Sequence, residues 1–169
     1  MEEPFDSYFD SETLSLVMRF ESMHENQTFS FFDIDEYEEI IDYYFYKNDQ
    51  RRAIQTIRIG LDQHPGHPLL LIREAQYLVN KQQDHKALKI LKEIREMAHI
   101  DGDMLLAMGN LYSQLESPEK AIECFLKAAT EVDYLDEIYS NIAFEYESMG
   151  QYNKAITYLL KTLEINPEH

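Results

Sequence analysis

The residue types best suited to chemistry in this 169-residue chain are one cysteine and small histidine and aspartate clusters. Nothing in the sequence marks an activating base for Cys124, so a structural thiol is a better interpretation than a nucleophile. His64 and His67 flank a Pro-Gly turn, where a weak metal site is the alternative to a plain turn. The run Asp101-Gly102-Asp103 lacks the later ligands of a calcium loop. Phosphate-loop, zinc-helix and nucleophile-elbow motifs are also missing. The sequence therefore predicts no catalytic residue, metal site or cofactor, and no enzyme.

The charge balance restricts the partners. Fifteen basic residues stand against 32 acidic ones, for a net charge of −17. Such a surface repels the phosphates of nucleic acids and anionic lipids, so we expect neither partner. No stretch approaches the ~18 consecutive apolar residues of a membrane span, and the acidic N-terminus does not resemble a signal peptide. We expect a cytoplasmic protein with basic or apolar protein partners; acidity that serves solubility alone is the alternative.

A period of 34 residues organises most of the chain. Ala53, Ala87, Ala121 and Ala155 follow one another at this interval, and a large apolar side chain comes four residues after each. Aromatic or aliphatic residues recur upstream with the same period, at Tyr37, Leu71, Leu105 and Tyr139 and again at Tyr44, Leu78, Tyr112 and Tyr146. Apolar residues at i, i+3, i+7 and i+10 lie on one face of a helix. The pattern predicts four consecutive pairs of helices.

These residues resemble the tetratricopeptide repeat family, in its bacterial-type form with several repeats. Residues 136–169 match the family signature best, through Tyr139, Ile142, Ala143, Tyr146, Gly150, Ala155, Leu159 and Pro167. The match is weaker where Ile41 replaces a small residue and Asp133 replaces the closing proline. The resemblance implies an all-α, right-handed superhelical solenoid of four helix-turn-helix repeats. Its predicted repeats are 34–67, 68–101, 102–135 and 136–169.

Residues 1–33 lie outside the repeats and are the most acidic segment, with eight acids against Arg19. We predict one helix from about 11 to 25, capped by Asp10 or Ser11, with Leu14, Val17 and Met18 on its apolar face. The interpretation is an N-terminal helix that caps the first repeat. The alternative is a mobile segment that lies in the binding groove as an internal pseudo-ligand or swaps into a neighbouring molecule. Its aromatic anchors would be Phe5, Tyr8 and Phe9.

Three helix starts are marked by their residue types. Asp33 followed by Glu36 predicts a reciprocal capping pair. Ser117 is an expected N-cap because Pro118 suits the first helical position. Pro68 predicts a further start. Ala121 lies where two helices of a pair must approach closely, so a larger residue there would force them apart.

In the tetratricopeptide family the ligand groove is the concave face, lined by the first helix of each repeat. Carried over by position, the partner-binding residues would be Asp35, Glu38, Glu39, Asp42, Phe45, Tyr46, Ile72, Arg73, Gln76, Asn80, Leu106, Asn110, Gln114, Asn141, Phe144 and Glu147. The first four are acidic, so the resemblance implies a groove for a basic or apolar peptide. The cations that one family subset uses to hold acidic chaperone tails are missing, and no such binding is expected. The basic residues of the second helices are expected to form a solvated convex face, Arg51, Arg52, Arg58, Lys86, Lys89, Lys92 and Arg95.

The predicted function is a non-catalytic scaffold or adaptor for protein–protein interaction. The alternatives are a chaperone for a secreted partner, similar to type III translocator chaperones, and a regulatory domain of a longer protein. No polar helix follows the last repeat, so Leu160 and Leu163 should lie partly in water. We expect a truncated array that continues in a longer chain; self-association through this uncapped C-terminal repeat is the other possibility.

Overall fold

The computed structural model describes residues 9–168, and within that range the chain forms α-helices and no strands, as expected. The helices are α1 Ser11–Glu25, α2 Ile34–Tyr46, α3 Gln50–Gln63, α4 Pro68–Asn80, α5 Asp84–Arg95, α6 Gly102–Gln114, α7 Pro118–Ala128, α8 Leu135–Ser148 and α9 Tyr152–Ile165. They belong to two compact units, Met1–Leu70 and Leu71–His169, with the boundary inside α4.

The 34-residue period of the sequence is also a period of the backbone. Left-handed residues occur in the turns after α2, α4, α6 and α8, at Asn48, Gln82, Glu116 and Gly150, with φ of 55°, 57°, 51° and 70°. In each turn the next N–H donates to the carbonyl five residues earlier, at 2.8–2.9 Å. This bond is that of a Schellman motif, which satisfies a carbonyl at the helix end. The turns therefore share one backbone geometry although their residues differ.

In the first unit, α2 begins with the predicted capping pair. Asp33 Oδ1 accepts from the Glu36 N–H, and Glu36 Oε2 accepts from the Asp33 N–H, both at 2.9 Å. Two N–H groups that the helix cannot satisfy are thereby paired. One face of α2 is buried along its whole length, at Tyr37, Ile40, Ile41 and Tyr44.

Helix α1 packs against α2. Its cap is Asp10, whose Oδ1 accepts from the N–H groups of Glu12 and Thr13. The predicted apolar face was only partly correct, because Val17 is buried but Met18 is exposed. Phe20 is buried instead, since its ring packs edge to face against aromatic rings of the α2 region. The anchors expected at Phe5 and Tyr8 lie outside the described residues.

An extended segment, residues 28–33, joins α1 to α2 and is fixed by a side chain of α3. Gln63 Nε2 donates to the Ser30 carbonyl at 2.9 Å, and Gln63 Oε1 accepts from the Phe32 N–H at 3.1 Å. Phe32 is fully buried, whereas Phe31 is exposed. One glutamine therefore holds the segment as a neighbouring strand would, with alternate side chains on opposite sides.

In the second unit, α6 packs on α7, α7 on α8, and α8 on α9. Ala121 and Ala128 are fully buried in a continuous core that also contains Leu91, Met108 and Ile142. Helix α7 begins at Pro118 as predicted. Ser117 is its N-cap residue, as predicted, but the side chain makes no capping hydrogen bond, because Oγ donates to the Leu115 carbonyl instead.

Candidate protein-binding face

The side of α2 opposite its buried face carries a row of carboxylates, of which Asp35 and Glu39 are exposed and Glu38 and Asp42 are half-buried. Asp35, Glu38, Glu39 and Asp42 stand at i, i+3, i+4 and i+7, which is one face of a helix. The helix contains no lysine or arginine. Like charges at this spacing repel, so this face favours a cationic partner. We call these four residues the α2 acidic row.

Aromatic side chains continue this face at the end of α2. Phe45 is half-buried and Tyr46 is exposed. The ring of Phe9 contacts the rings of Tyr43 and Tyr46 edge to face, with centroids 5.3 and 5.2 Å apart. A cation near such rings is attracted to their faces, so acids and aromatics here suit the same kind of ligand.

The start of α1 reaches this face, which the sequence did not indicate. Thr13 Oγ1 donates to Glu39 Oε2 at 3.2 Å, and Phe9 contacts Tyr46. Two predicted partner-binding residues therefore already contact the N-terminal segment. The possibility of a segment that occupies part of the groove had been raised, but only tertiary contacts identify which residues it contacts.

Two exposed ion pairs join α1 to α2 and α3. Arg19 pairs with Glu36 at 2.5 Å, and Arg52 pairs with Glu21 at 2.6 Å. Tyr44 Oη donates to the same Glu21 oxygen at 3.1 Å. Burial, and then the Glu21 charge, raise the pKa of the Tyr44 hydroxyl. Arg52 was expected on a solvated convex face; it is instead a contact between α3 and α1.

A small cavity with charged and aromatic lining residues adjoins this contact. It measures about 70 Å³ and is lined by residues that include Glu21, His24, Arg52 and Gln55. Gln55 Nε2 lies 2.7 Å from His24 Nε2. The space suits one or two waters rather than an organic ligand.

The predicted residues of the second unit have mixed surroundings. Asn80, Asn110, Gln114, Phe144 and Glu147 are exposed, whereas Arg73, Gln76, Leu106 and Asn141 are half-buried. Arg73 donates to Gln76 Oε1 at 3.3 Å.

Ile72 corrects the predicted set. Its side chain is buried in the second unit's core with Ala75 and Leu78, so it is no contact residue. The apolar run Leu69–Ile72 offers a helix several possible inner faces, so a groove position carried over from the family resemblance was wrong here.

A second charged cluster lies on α5 and α7. Glu123 accepts from Arg95 at 2.8 Å and from Lys127 at 3.0 Å. The hydrogen bond from Lys127 and the charge of Arg95 lower the pKa of the Glu123 carboxyl, against the effect of its partial burial. Arg95, expected on the solvated convex face, is thus paired with an acid, and exposed pairs of this kind contribute little to stability.

Cys124 and His64, which the sequence analysis considered for chemistry, are both in contact with the folded core or backbone. Cys124 is buried, and burial raises the pKa of its thiol to about 11, which suppresses the thiolate. His64 Nε2 lies 2.8 Å from the Phe32 carbonyl. In the part of the chain that the structure describes, no three His, Cys, Asp or Glu side chains form a metal-binding group. The helices described here are also too short or too polar to cross a bilayer.

Comparison with known sequences identifies the repeats. Residues 102–130 and 137–169 match sequence models of the tetratricopeptide repeat. The anaphase-promoting complex subunit CDC16 of Saccharomyces cerevisiae is 25% identical over 118 residues, which are 66% of this chain and 14% of that protein. The chain therefore spans only a small part of this curated relative.

Solved structures show the same fold. MamA, from residue 41 to its end, of Desulfovibrio magneticus RS-1 superimposes with a TM-score of 0.70 at 19% identity, covering 94% of this chain and 88% of that one. TTC0263, a thermophilic TPR protein of Thermus thermophilus, gives a TM-score of 0.67 at 20% identity, covering 91% of this chain and 82% of that one.

Proposed function

The chain is a tetratricopeptide-repeat protein, and we propose that it is a non-catalytic adaptor that binds a basic or apolar peptide segment on the exposed face of α2. Proteins with these repeats typically mediate protein–protein interactions. The observation that carries the proposal is the α2 acidic row, four carboxylates on one face of a helix without a basic residue. A lysine- or arginine-bearing segment would relieve the repulsion within the row. Tyr46 would contact its apolar or cationic side chains.

The second unit carries a different kind of exposed surface. Its exposed amides and Phe144 carry little charge, so they suit uncharged parts of a peptide, through hydrogen bonds and apolar contact. The name of the curated relative describes a subunit of a multi-protein complex, which supports the same class of function. The cytoplasmic location remains a prediction from the sequence.

Binding is tested with a pair of amphipathic helical peptides that are identical except that lysines in one are glutamates in the other. We expect the lysine peptide alone to bind, with an affinity that falls as salt rises. Replacing Glu38, Glu39 and Asp42 together by lysine should weaken binding at least about tenfold, or ~1.4 kcal/mol. Isothermal titration calorimetry measures both.

The matched control changes the net charge equally at a different place. Glu96, Glu119 and Glu131 are exposed acids of the second unit, and their triple lysine variant should bind as the wild type does. Equal losses in both variants would show that bulk charge, and not the α2 face, attracts the peptide.

Two alternatives are separated by what accompanies the protein in its own cells. A chaperone for a secreted partner would co-purify with one apolar protein even when the α2 acidic row is replaced. A regulatory domain of a longer protein would bind another part of its own polypeptide. Mass spectrometry after affinity purification of wild type and triple variant distinguishes these outcomes.

A further inference from the structure

Helix α9 carries a stripe of exposed apolar side chains. Its members follow a spacing of i, i+4, i+7, i+8 and i+11, which places them on one side of the helix. We call them the α9 stripe: Tyr152, Ile156, Leu159, Leu160 and Leu163. Another side of the same helix is buried at Ala155 and Thr162. The helix therefore has two apolar sides, and only one is covered within the described residues.

The same positions of α7 show what such a stripe does in this fold. Ile122 and Phe125 are 7% and 1% exposed, and they share a core with Ile138 of α8, which packs against α7. Thirty-four residues later, Ile156 and Leu159 are 55% and 44% exposed. The positions of Ile156 and Leu159 in the α9 stripe are thus covered by a helix one repeat earlier.

We propose that a second copy of this chain covers the α9 stripe, with α9 packed on α9 across a two-fold axis. A two-fold interface uses the same patch on both copies, and a single helical stripe is self-complementary in this sense. Five large side chains, each about half exposed, offer on the order of 500 Å² per copy. With its rim the patch approaches the ~800 Å² per partner of a standard interface.

Charge favours this helix as the place where two copies meet. The chain has a net charge of −17, so most approaches bring acidic surfaces together. Helix α9 contains Lys154, Lys161 and Glu164 as its charged residues and has no net negative charge. One border of the stripe carries the uncharged Asn153 and Thr157 together with Glu164, so contact there brings one acid per copy and less repulsion than the acidic surfaces elsewhere. The interface is separate from the α2 acidic row and does not depend on it.

The mass of the full chain in solution tests the dimer. Sedimentation equilibrium is measured from about 1 to about 200 μM, a range that brackets a micromolar Kd. We expect twice the monomer mass of 20.1 kDa at the upper end. Raised salt should leave the dimer intact or strengthen it, because the contact is apolar. A chain that stays monomeric throughout would overturn the proposal.

A matched pair of variants locates the contact. Leu126 and Leu160 occupy the same repeat position and are 41% and 56% exposed, but only Leu160 belongs to the α9 stripe. Leu160→Glu should reduce the mass to that of the monomer, and Leu126→Glu should remain dimeric. Circular dichroism checks that both variants stay folded. If both remain dimeric, or both become monomeric, the interface is not α9 on α9.

A cysteine cross-link gives a result that does not depend on weakening the contact. In a Cys124→Ser background, Leu160→Cys should form a disulfide-linked dimer on mild oxidation, and Leu126→Cys should not. Preferential linkage through position 126 would contradict self-pairing. So would a result in which the Leu160→Cys chain in a lysate links to a different protein and not to a second copy of itself.

Discussion

Gly109 of α6 lies directly against the ring of Phe125 in α7. A Cβ built on Gly109 would stand 2.4 Å from Cε1 and 2.6 Å from Cδ1 of that ring, closer than side chains pack. In the second and fourth repeats Ala75 and Ala143 are matched by leucines, whereas Gly109 is matched by Phe125; the first repeat differs, with Ile41 matched by Ile57. A hydrogen in place of a methyl group therefore makes room for the larger ring.

This contact predicts a compensating pair of substitutions. Gly109→Ala should lower the free energy of unfolding by about 1–3 kcal/mol, since the ring must shift in a packed core. In the Phe125→Leu background the same change should cost little or stabilise, because alanine favours a helix by ~1 kcal/mol over glycine. Urea denaturation followed by circular dichroism measures the cycle. Additive effects would show that the two positions do not interact.

Two buried tyrosines of α2 should respond oppositely to loss of the hydroxyl. Tyr37 Oη is buried without a hydrogen-bond partner among the described residues, whereas Tyr44 Oη donates to Glu21 at 3.1 Å. Tyr37→Phe should leave stability unchanged or raise it by up to ~1 kcal/mol, and Tyr44→Phe should lower it by about 0.5–1.5 kcal/mol. Urea denaturation midpoints of the two variants measure these changes. Equal losses of stability would mean that the Tyr37 hydroxyl has a hydrogen-bond partner.

The left-handed turn that recurs after α2, α4, α6 and α8 predicts how substitutions at its positive-φ position change the free energy of unfolding. Glu116 has φ of 51°, a conformation that costs a residue with a Cβ about 1–2 kcal/mol. Glu116→Gly should therefore stabilise the chain by ~0.5–1 kcal/mol after the entropy of glycine is counted. Gly150→Ala should destabilise it through the backbone alone, because no atom lies near the new Cβ. Glu116→Ala separates charge from conformation: a gain as large as that of glycine would refute the backbone explanation.

Cys124 should report on opening of the second unit. The folded thiol is buried with a pKa of about 11, so little thiolate exists at pH 8. Since the unfolded thiol ionises at lower pH than the folded one, stability should fall as pH rises between the two pKa values. Ellman's reagent should react slowly with the native chain and fully in urea. A Thr130→Cys chain, whose added thiol is exposed, serves as the reactive control; equally fast native labelling of Cys124 would contradict its burial.

Features that depend on a fixed spacing could be predicted from the sequence. The alanines of the 34-residue period are buried, including Ala53 and Ala121, because helices can approach closely only at small residues. The capping pair of Asp33 and Glu36 was also correct, since it needs only residues three apart in the chain. Tyr44 is buried as its repeat position required.

Features that depend on tertiary partners could not be predicted. The buried side of α1 is set by the contacts of Phe20 with Phe32 and Tyr37. From the sequence alone, a helix face with Met18 and one with Phe20 are both amphipathic. Among the candidate binding residues, the position of the α2 acidic row on one side of its helix follows directly from the repeat pattern. The contacts of Glu39 with Thr13 and of Tyr46 with Phe9 join segments that no local pattern connects.

The two hydrogen bonds of Gln63 to the segment before α2 determine where the linker between α1 and α2 can change length. The backbone atoms that Gln63 holds belong to Ser30 and Phe32, so the side chain fixes the phase in which the segment alternates. A residue inserted between Phe32 and Asp33 would shift that phase by one. Either Phe31 would enter the core and Phe32 would leave it, or the hydrogen bonds of Gln63 to the segment would break. Asn26 and Gln27 lie between α1 and the residues that Gln63 binds, so the linker can change length there while the two phenylalanines keep their places.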